Sequence, residues 1–370
     1  MGRMATRIAL SCLFCATLGS AESRAQPSVG GFAEEIEVTE VLLDVVVTDK
    51  KDRIILGLGP EDFVVSERRE VIAIDSLTFY SSKRLLESSG VVASRDLAVD
   101  VVPQDRFFVL FVQEQRGDSI ARRSPLIRQH EAGHDVGRWL VEEAPPADRM
   151  AVVSFGRGLK VHQDFTTDRA ALLDAIEGAV RGRDPERVPP ARRKRIEGDP
   201  VALDTLPSGK ELRRATPNVY RALRRVAGAL KNVPGRKNLI FVGQGFGELG
   251  TFGGYQPQLS KLNPTLQALN DANVAVYTID VNAPGVEHSL RPSLRDLAAL
   301  TGGQFFYDDA RFTTALREIS DLTSGYYLLS YRSRRPAGES GYQPVRIGTR
   351  SPEFRVYARR GYLYGSRSEP

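Results

Sequence analysis

Phe107-Phe108-Val109-Leu110-Phe111-Val112 is an unbroken run of six apolar residues. A strand with one solvated face alternates apolar and polar side chains. A run without alternation, bounded by polar residues, marks a strand buried on both faces. Moving outward along the chain, MAVVSF (150–155), LIFVG (239–243) and VAVYTID (274–280) repeat the pattern, with an edge strand expected near Lys160-Val161-His162. Helical periodicity fills the gaps: about Leu126 to Glu143, a helix from Asp168 capped by Thr167, Pro217 to Lys231, and Leu259 to Ala272. Ser293 to Asp296 reads as a further helix start with a capping acid, and Thr301-Gly302-Gly303 as its stop. A short strand, QFFY (304–307), and a helix from Phe312 to Leu322 complete the series. Buried strands alternating with amphipathic helices predict an α/β domain over residues 104–323, with a doubly wound, mostly parallel sheet.

Both flanks have a different rhythm. Residues 34–82, opening with EIEVTEVLLDVVVT (35–48), and residues 324–365, with YYLLSY (326–331), PVRIG (344–348) and FRVYARRGYLY (354–364), show β alternation without helical period. The economical reading is that the two ends pair into one discontinuous all-β domain, with 83–103 as a linker. The tyrosines at 326, 327, 331, 357, 362 and 364 are expected to pack that unit.

Composition narrows the function. At 370 residues, with 26% charged and 41% hydrophobic, the chain is long enough for about two domains. Residues 1–25 read as an export leader: Arg3 and Arg7, an apolar run from Ile8 to Leu18, and Ser23-Arg24-Ala25 before the cleavage point. No other stretch reaches membrane-spanning length, so no transmembrane segment is expected in the mature chain. Both cysteines, Cys12 and Cys15, lie in the leader, which removes disulfides, thiol catalysis and thiolate-bound zinc from consideration. The net charge of +5 is a small excess, concentrated in Arg181–Arg195, where seven Lys or Arg face two acids. With three prolines and no aromatic residue, that run reads as a solvated insertion, and nucleic acid is not an expected partner.

Several segments taken in order resemble von Willebrand factor type A domains. Asp148-Arg149-Met150-Ala-Val-Val-Ser-Phe155 with Phe165-Thr166 and Asp168 resembles their second strand and next helix. Arg236-Lys237-Asn-Leu-Ile-Phe-Val242 resembles the fourth strand, and Asn273 to Asp280 with Leu297-Ala-Ala-Leu-Thr-Gly-Gly303 the closing elements. The flanks narrow the match: Asp44-Val-Val-Val-Thr-Asp49, Leu58 and Glu61-Asp62-Phe63 in front, Ser324-Gly-Tyr-Tyr-Leu-Leu-Ser-Tyr331 and Arg359-Arg360-Gly361-Tyr362 behind. Together they are similar to an exported, von Willebrand factor A-related family abundant in acidobacteria. The resemblance implies an adhesion or recognition role and a divalent cation held by Asp-x-Ser-x-Ser after the first strand, a Thr from a second loop and an Asp after the fourth strand.

This sequence departs from that ligand set. The first loop reads Gln113-Glu114-Gln115-Arg116-Gly117, so Gln113, Gln115 and Gly117 stand where the resemblance places Asp, Ser and Ser. Gln244 stands at the second Asp position, and Thr216 lies one residue out of register. Neutral amides cannot replace the anionic oxygens a dehydrated Mg²⁺ requires. The expectation is a degenerate site, no cofactor, and recognition of a protein or cell-surface partner through Gln113, Gln115, Gly117, Thr216 and Gln244.

A competing motif is His130-Glu131-Ala132-Gly133-His134, an H-E-x-x-H match. Histidines four apart share a helical face and could hold zinc, with Glu131 as general base. Leu140 stands where the extended motif wants a third His, and the bland reading is a chance match on an exposed helical face. Gly243-x-Gly245-x-Gly247 lacks dinucleotide spacing and reads as a loop. The reading is therefore a non-enzymatic recognition protein. Its alternatives are a zinc hydrolase using His130, Glu131 and His134, and a structural envelope protein with no ligand.

Overall fold

The computed structural model describes residues 36–82, 92–93, 101–115, 120–185, 196–207, 209–307, 311–336 and 341–364. The leader expected over 1–25 lies outside them. The front of the chain forms β1 (Ile36–Thr48), β2 (Ile55–Leu56), β3 (Phe63–Glu67), β4 (Glu70–Ile72), β5 (Ser76–Ser81), β6 (Val92–Ala93) and β7 (Val101–Pro103). The middle follows with β8 (Phe107–Gln113), α1 (Ile120–Glu142), β9 (Arg149–Phe155), β10 (Leu159–Thr166), α2 (Arg169–Val180), α3 (Gly209–Ala215), α4 (Val219–Leu230) and β11 (Lys237–Gly243). Next come β12 (Glu248–Leu249), β13 (Tyr255–Gln256), α5 (Leu259–Asp271), β14 (Val274–Asp280), α6 (Arg291–Thr301), β15 (Phe305–Phe306) and α7 (Phe312–Leu322). The end comprises β16 (Gly325–Pro336), β17 (Gly341–Thr349), β18 (Arg355–Ala358) and β19 (Gly361–Tyr364).

The six-residue apolar run lies at the centre of a six-stranded sheet of order β10-β9-β8-β11-β14-β15. It is parallel throughout except for β10, which pairs antiparallel with β9. Side chains alternate across a strand, and both faces of this one are covered. Phe107, Val109 and Phe111 join Leu223, Val226 and Leu230 of α4, Leu266 of α5 and Leu294 of α6 in one core. Phe108, Leu110 and Val112 join Trp139 of α1, Ile176 of α2 and Leu316 of α7 in the other. Each such side chain contributes about 1.5–3 kcal/mol by leaving water, which is why every position of the run is apolar. The chain leaves β8 in one direction through β9 and β10 and in the other through β11, β14 and β15. The crevice at the carboxyl ends of β8 and β11 is therefore the switch point, where ligands bind in open α/β sheets.

The two β-rich ends pair with each other. β1 runs antiparallel to β16 from Ile36↔Pro336 to Val45↔Tyr327 and then pairs with β18. β3 pairs with β17. The resulting sheets have the orders β18-β1-β16-β5-β7 and β19-β17-β3-β4. Their core, with Leu43, Val45, Phe79, Tyr327 and Tyr331, is continuous with the α1–α2–α7 face. Of the six tyrosines assigned to this unit, 326, 327, 331 and 362 are buried and 357 and 364 half-buried.

Local details correct the sequence reading. Part of the stretch read as a linker is strand: β7 extends the sheet beside β5, and β6 pairs with β2. Asp168, not Thr167, caps α2, its carboxylate accepting from the Ala170 and Ala171 amides. α4 starts at Val219, capped by Asn218, because Pro217 precedes the cap. α6 starts at Arg291, and Ser293 Oγ instead donates to Leu290 O and accepts from Phe246 N. α1 begins at Ile120 and runs through Pro125.

The two-residue turn joining β3 to β4 has Arg68 and Arg69 at φ 48° and 71°. Positive φ at both central positions is the hairpin pattern that favours Asn-Gly, and a side chain there costs about 1–2 kcal/mol. Arg68 is tied down by donating to Gln343 Oε1 at 3.2 Å, whereas Arg69 is exposed. Arg69→Gly is therefore expected to raise stability by about 0.5–1 kcal/mol after the extra entropy of glycine in the unfolded chain is deducted. Urea denaturation checks it: a lower midpoint would mean that the Arg69 side chain outweighs the backbone strain.

Candidate functional site

Gln113 ends β8, one residue past the buried run, with its amide in the crevice beside β11. Its Nε2 donates to Gly245 O at 2.7 Å, and its Oε1 accepts from the amides of Gln244 and Gly245 at 2.9 and 3.2 Å. The chain can come this close only because residue 243 is glycine: a Cβ there would lie 2.4 Å from Gln113 Oε1. Gly245 is also required, having a φ of 96° and a Cβ position 2.6 Å from Leu290 O. One neutral side chain thus holds the loop after β11 against the end of β8.

Hydrogen bonds spread from this point in both directions. Gln115 donates its Nε2 to Gln113 O at 2.8 Å and its backbone amide to Gln129 Oε1 of α1 at 2.7 Å. On the other side, Gln244 Nε2 donates to Asn282 Oδ1 at 2.8 Å. Asn282 in turn donates its backbone and side-chain N–H groups to Asp280 Oδ1, at 2.9 and 2.7 Å. Asp280 ends β14, and its second oxygen meets His288 Nε2 at 2.8 Å and accepts from Arg291 Nε at 3.3 Å. Burial pushes the Asp280 carboxyl up, but hydrogen bonds from His288 and Asn282 outweigh it and hold the group below the usual carboxylate range. Gln113, Gln115 and Gln244 therefore sit in one polar seam along the carboxyl edge of the sheet.

The other predicted members are elsewhere. Thr216 is fully buried between α3 and α4, where its Oγ1 donates to Leu212 O at 2.7 Å and accepts from Leu159 N at 2.9 Å. Both capacities of the hydroxyl are used in closing α3 against β10, which takes it out of the rim. Gly117 lies outside the described residues. Glu114 turns away from the crevice to accept from Ser154 Oγ at 2.7 Å and pair with Lys160 Nζ at 2.9 Å. The seam partners Gln129, Asp280, Asn282, His288 and Arg291 were missed. The usable signal was Asp280, the first charged residue after an apolar strand at the same sheet edge.

Among the described residues the donor set does not suit the divalent cation that the resemblance implies. The amide oxygen of Gln113 is taken by two backbone N–H groups, and both Asp280 oxygens are committed. A hard octahedral ion requires several free anionic or hydroxyl oxygens at one point. Among the described residues no group of three or more His, Cys, Asp or Glu is arranged to hold a metal. His130, Glu131 and His134 lie on the exposed side of α1, opposite Ala132, Val136, Trp139 and Leu140. Arg128 pairs with Glu131 at 3.0 Å, and the His134 side chain is 78% exposed.

The parallel sheet with one antiparallel edge strand and helices on both faces is the doubly wound α/β architecture that the resemblance implies. No family model matches the chain, and no curated protein matches it. Solved structures similar to it include an aerotolerance-related membrane protein of Bacteroides fragilis, at 10% identity and a TM-score of 0.36, covering 58% of this chain and 96% of that one. The manganese-loaded TRAP protein of Plasmodium vivax is similar at 10% identity and 0.37, covering 69% and 92%. Proximal thread matrix protein 1 of the mussel byssus, with a zinc-occupied MIDAS motif, is similar at 15% and 0.36, covering 60% and 48%.

Proposed function

We propose that this chain is an exported, non-enzymatic recognition protein that engages a protein or cell-surface partner through the loops after β8 and β11 without a bound cation. The observation that carries this reading is the Gln113 amide, which makes three hydrogen bonds to the Gln244–Gly245 backbone. In a cation-dependent site the ion organises the facing loops; here a side chain does so permanently, and the rim is preorganised before any partner arrives. Gln113, Gln115 and Gln244 brace that rim through their amides while each stays partly exposed. Periplasmic or extracellular placement rests on the leader at 1–25. Placement in the exported family abundant in acidobacteria rests on the β flanks quoted above.

Thermal melts of the mature protein with Mg²⁺, Zn²⁺ or chelator, together with metal content by mass spectrometry, test the reading. The expected result is an unchanged melting temperature and no stoichiometric metal, since a ligand that binds only the folded state raises its stability. A rise with Mg²⁺ would overturn the cation-independent site. About one zinc per chain, lost together with stability in His134→Ala, would replace the reading with the hydrolase.

A further inference from the structure

The outer surfaces of α3 and α4 carry a charge imbalance with little internal compensation. Between Gly209 and Lys231 the chain has seven Lys or Arg and a single acid, Glu211. The inner side of α4 is apolar, with Val219, Tyr220, Leu223, Val226 and Leu230 in the core. The helical period therefore turns Arg221, Arg224, Arg225 and Lys231 outward. Arg221, Arg225 and Lys231 are exposed and Arg224 half-buried; on α3, Lys210 and Arg214 are exposed one turn apart. Arg213 pairs with Asp184 at 3.1 Å, but none of the other six cations has an ion-pair partner among the described residues. Burial first, and then the like charges of Arg221 and Arg225, pull the Arg224 guanidinium below its ordinary range.

Like charges four apart on a helix destabilise it by about 0.2–0.5 kcal/mol per pair, so the fold holds repulsion that a bound anion would relieve. The stripe from Arg221 to Lys231 runs about 15 Å along one helix. Gly228 lies within it, with open space where a side chain would be. The shape is linear, which suits an extended chain bearing repeated anionic groups. The only aromatic residue on α3 or α4 is Tyr220, which is buried, so there is no platform for stacking bases. No large apolar side chain is exposed there either, so nothing would insert into a lipid surface.

We propose that the α3–α4 face binds an acidic polysaccharide, a chain of uronate units laid along α4, with Arg221, Arg225 and Lys231 making the principal contacts to its carboxylates. Guanidinium groups take carboxylates in a bidentate fork, and the flexible Lys231 extends the stripe as a point charge. This surface shares no residue with the Gln113 seam, and the proposal does not depend on the function assigned there.

The test is fluorescence anisotropy of a labelled oligo-uronate, cut from alginate, with the full mature chain at several salt concentrations. The expected result is binding that weakens with salt, and no binding of neutral dextran. Arg221→Glu with Arg225→Glu and Lys231→Glu should weaken it by on the order of 10- to 100-fold with an unchanged melting curve. Lys50→Glu with Lys51→Glu, exposed at a distant turn, should leave it within about twofold. Equal weakening by the distant pair would reduce the effect to net charge and overturn the proposal. No binding of the oligo-uronate, or binding of duplex DNA or phosphatidylglycerol vesicles as tight as that of the oligo-uronate, would overturn it too. If the triple variant fails to fold, Arg225→Gln alone provides the comparison, with an expected loss of about threefold.

Discussion

Arg106→Ala is expected to lower the stability of the chain by about 3–5 kcal/mol, the usual result of leaving one member of a buried ion pair alone. Arg106 and Asp148 are each about 6% exposed. The guanidinium holds both carboxylate oxygens, Nε to Oδ1 at 2.9 Å and Nη2 to Oδ2 at 2.5 Å. Its remaining nitrogen donates to Ser320 O at 2.8 Å and Thr323 Oγ1 at 3.2 Å, while its Cζ lies 5.2 Å from the centroid of the Phe108 ring. One side chain therefore ties together the entry to β8, the entry to β9 and the carboxyl end of α7. Removing it takes the forked partner from a buried carboxylate. Arg106→Lys keeps the charge but not the fork and should recover less than half of the loss. The double variant with Asp148→Ala should cost less than the sum of the singles, because no charge is then left behind. Urea denaturation of the four proteins measures this; a loss below about 1 kcal/mol for Arg106→Ala would mean that water enters and solvates Asp148.

Glu67→Ala is expected to cost about 2–4 kcal/mol, from the other half of the molecule. The Glu67 carboxylate is buried at 5% exposure in the β-rich part, and its partners are hydroxyls. Tyr331, Tyr362 and Ser333 each donate to it at 2.7 Å. Burial, then the bond to Glu67, pushes the Tyr331 hydroxyl far above the ordinary phenol range, so it stays a neutral donor at any physiological pH. Alanine would remove the acceptor that three buried hydroxyls share and open a cavity beneath them. Tyr331→Phe and Tyr362→Phe remove one donor apiece and should cost about 1–2 kcal/mol. If Glu67→Ala were no worse than either tyrosine variant, the carboxylate would not be the organising member of the group.

What could be read without coordinates follows from which forces are local. The run at 107–112 announced a strand covered on both sides because periodicity is a property of neighbouring residues. The β alternation of 35–48 and 326–331 likewise predicted sheet, and economy alone suggested that the two ends meet. Gln113 and Gln244 were found because the resemblance places metal ligands there, each at the end of a buried strand. Thr216 was misplaced because nothing in its neighbourhood reveals that Leu159 N, 57 residues earlier, will claim its hydroxyl. Asp280, His288 and Arg291 converge through the course of a loop, which no period encodes. The H-E-x-x-H spacing was legible, and so was its orientation, since Val136, Trp139 and Leu140 place the apolar face of the helix elsewhere.

The pairing of β1 with β16 has a consequence for how the protein is made. β1 presents thirteen residues rich in valine and leucine, and the strands that flank it, β16 and β18, are encoded near the other end of the chain. About 280 residues separate Val45 from Tyr327. At about 5–20 residues per second, a ribosome needs roughly 15–60 seconds to supply the missing neighbours. Until then the segment is an open edge able to associate with copies of itself. Chains broken off before Gly325 never close that edge, so premature termination should give aggregates instead of a smaller folded protein, and the newborn chain depends on whatever shields its first strand during synthesis.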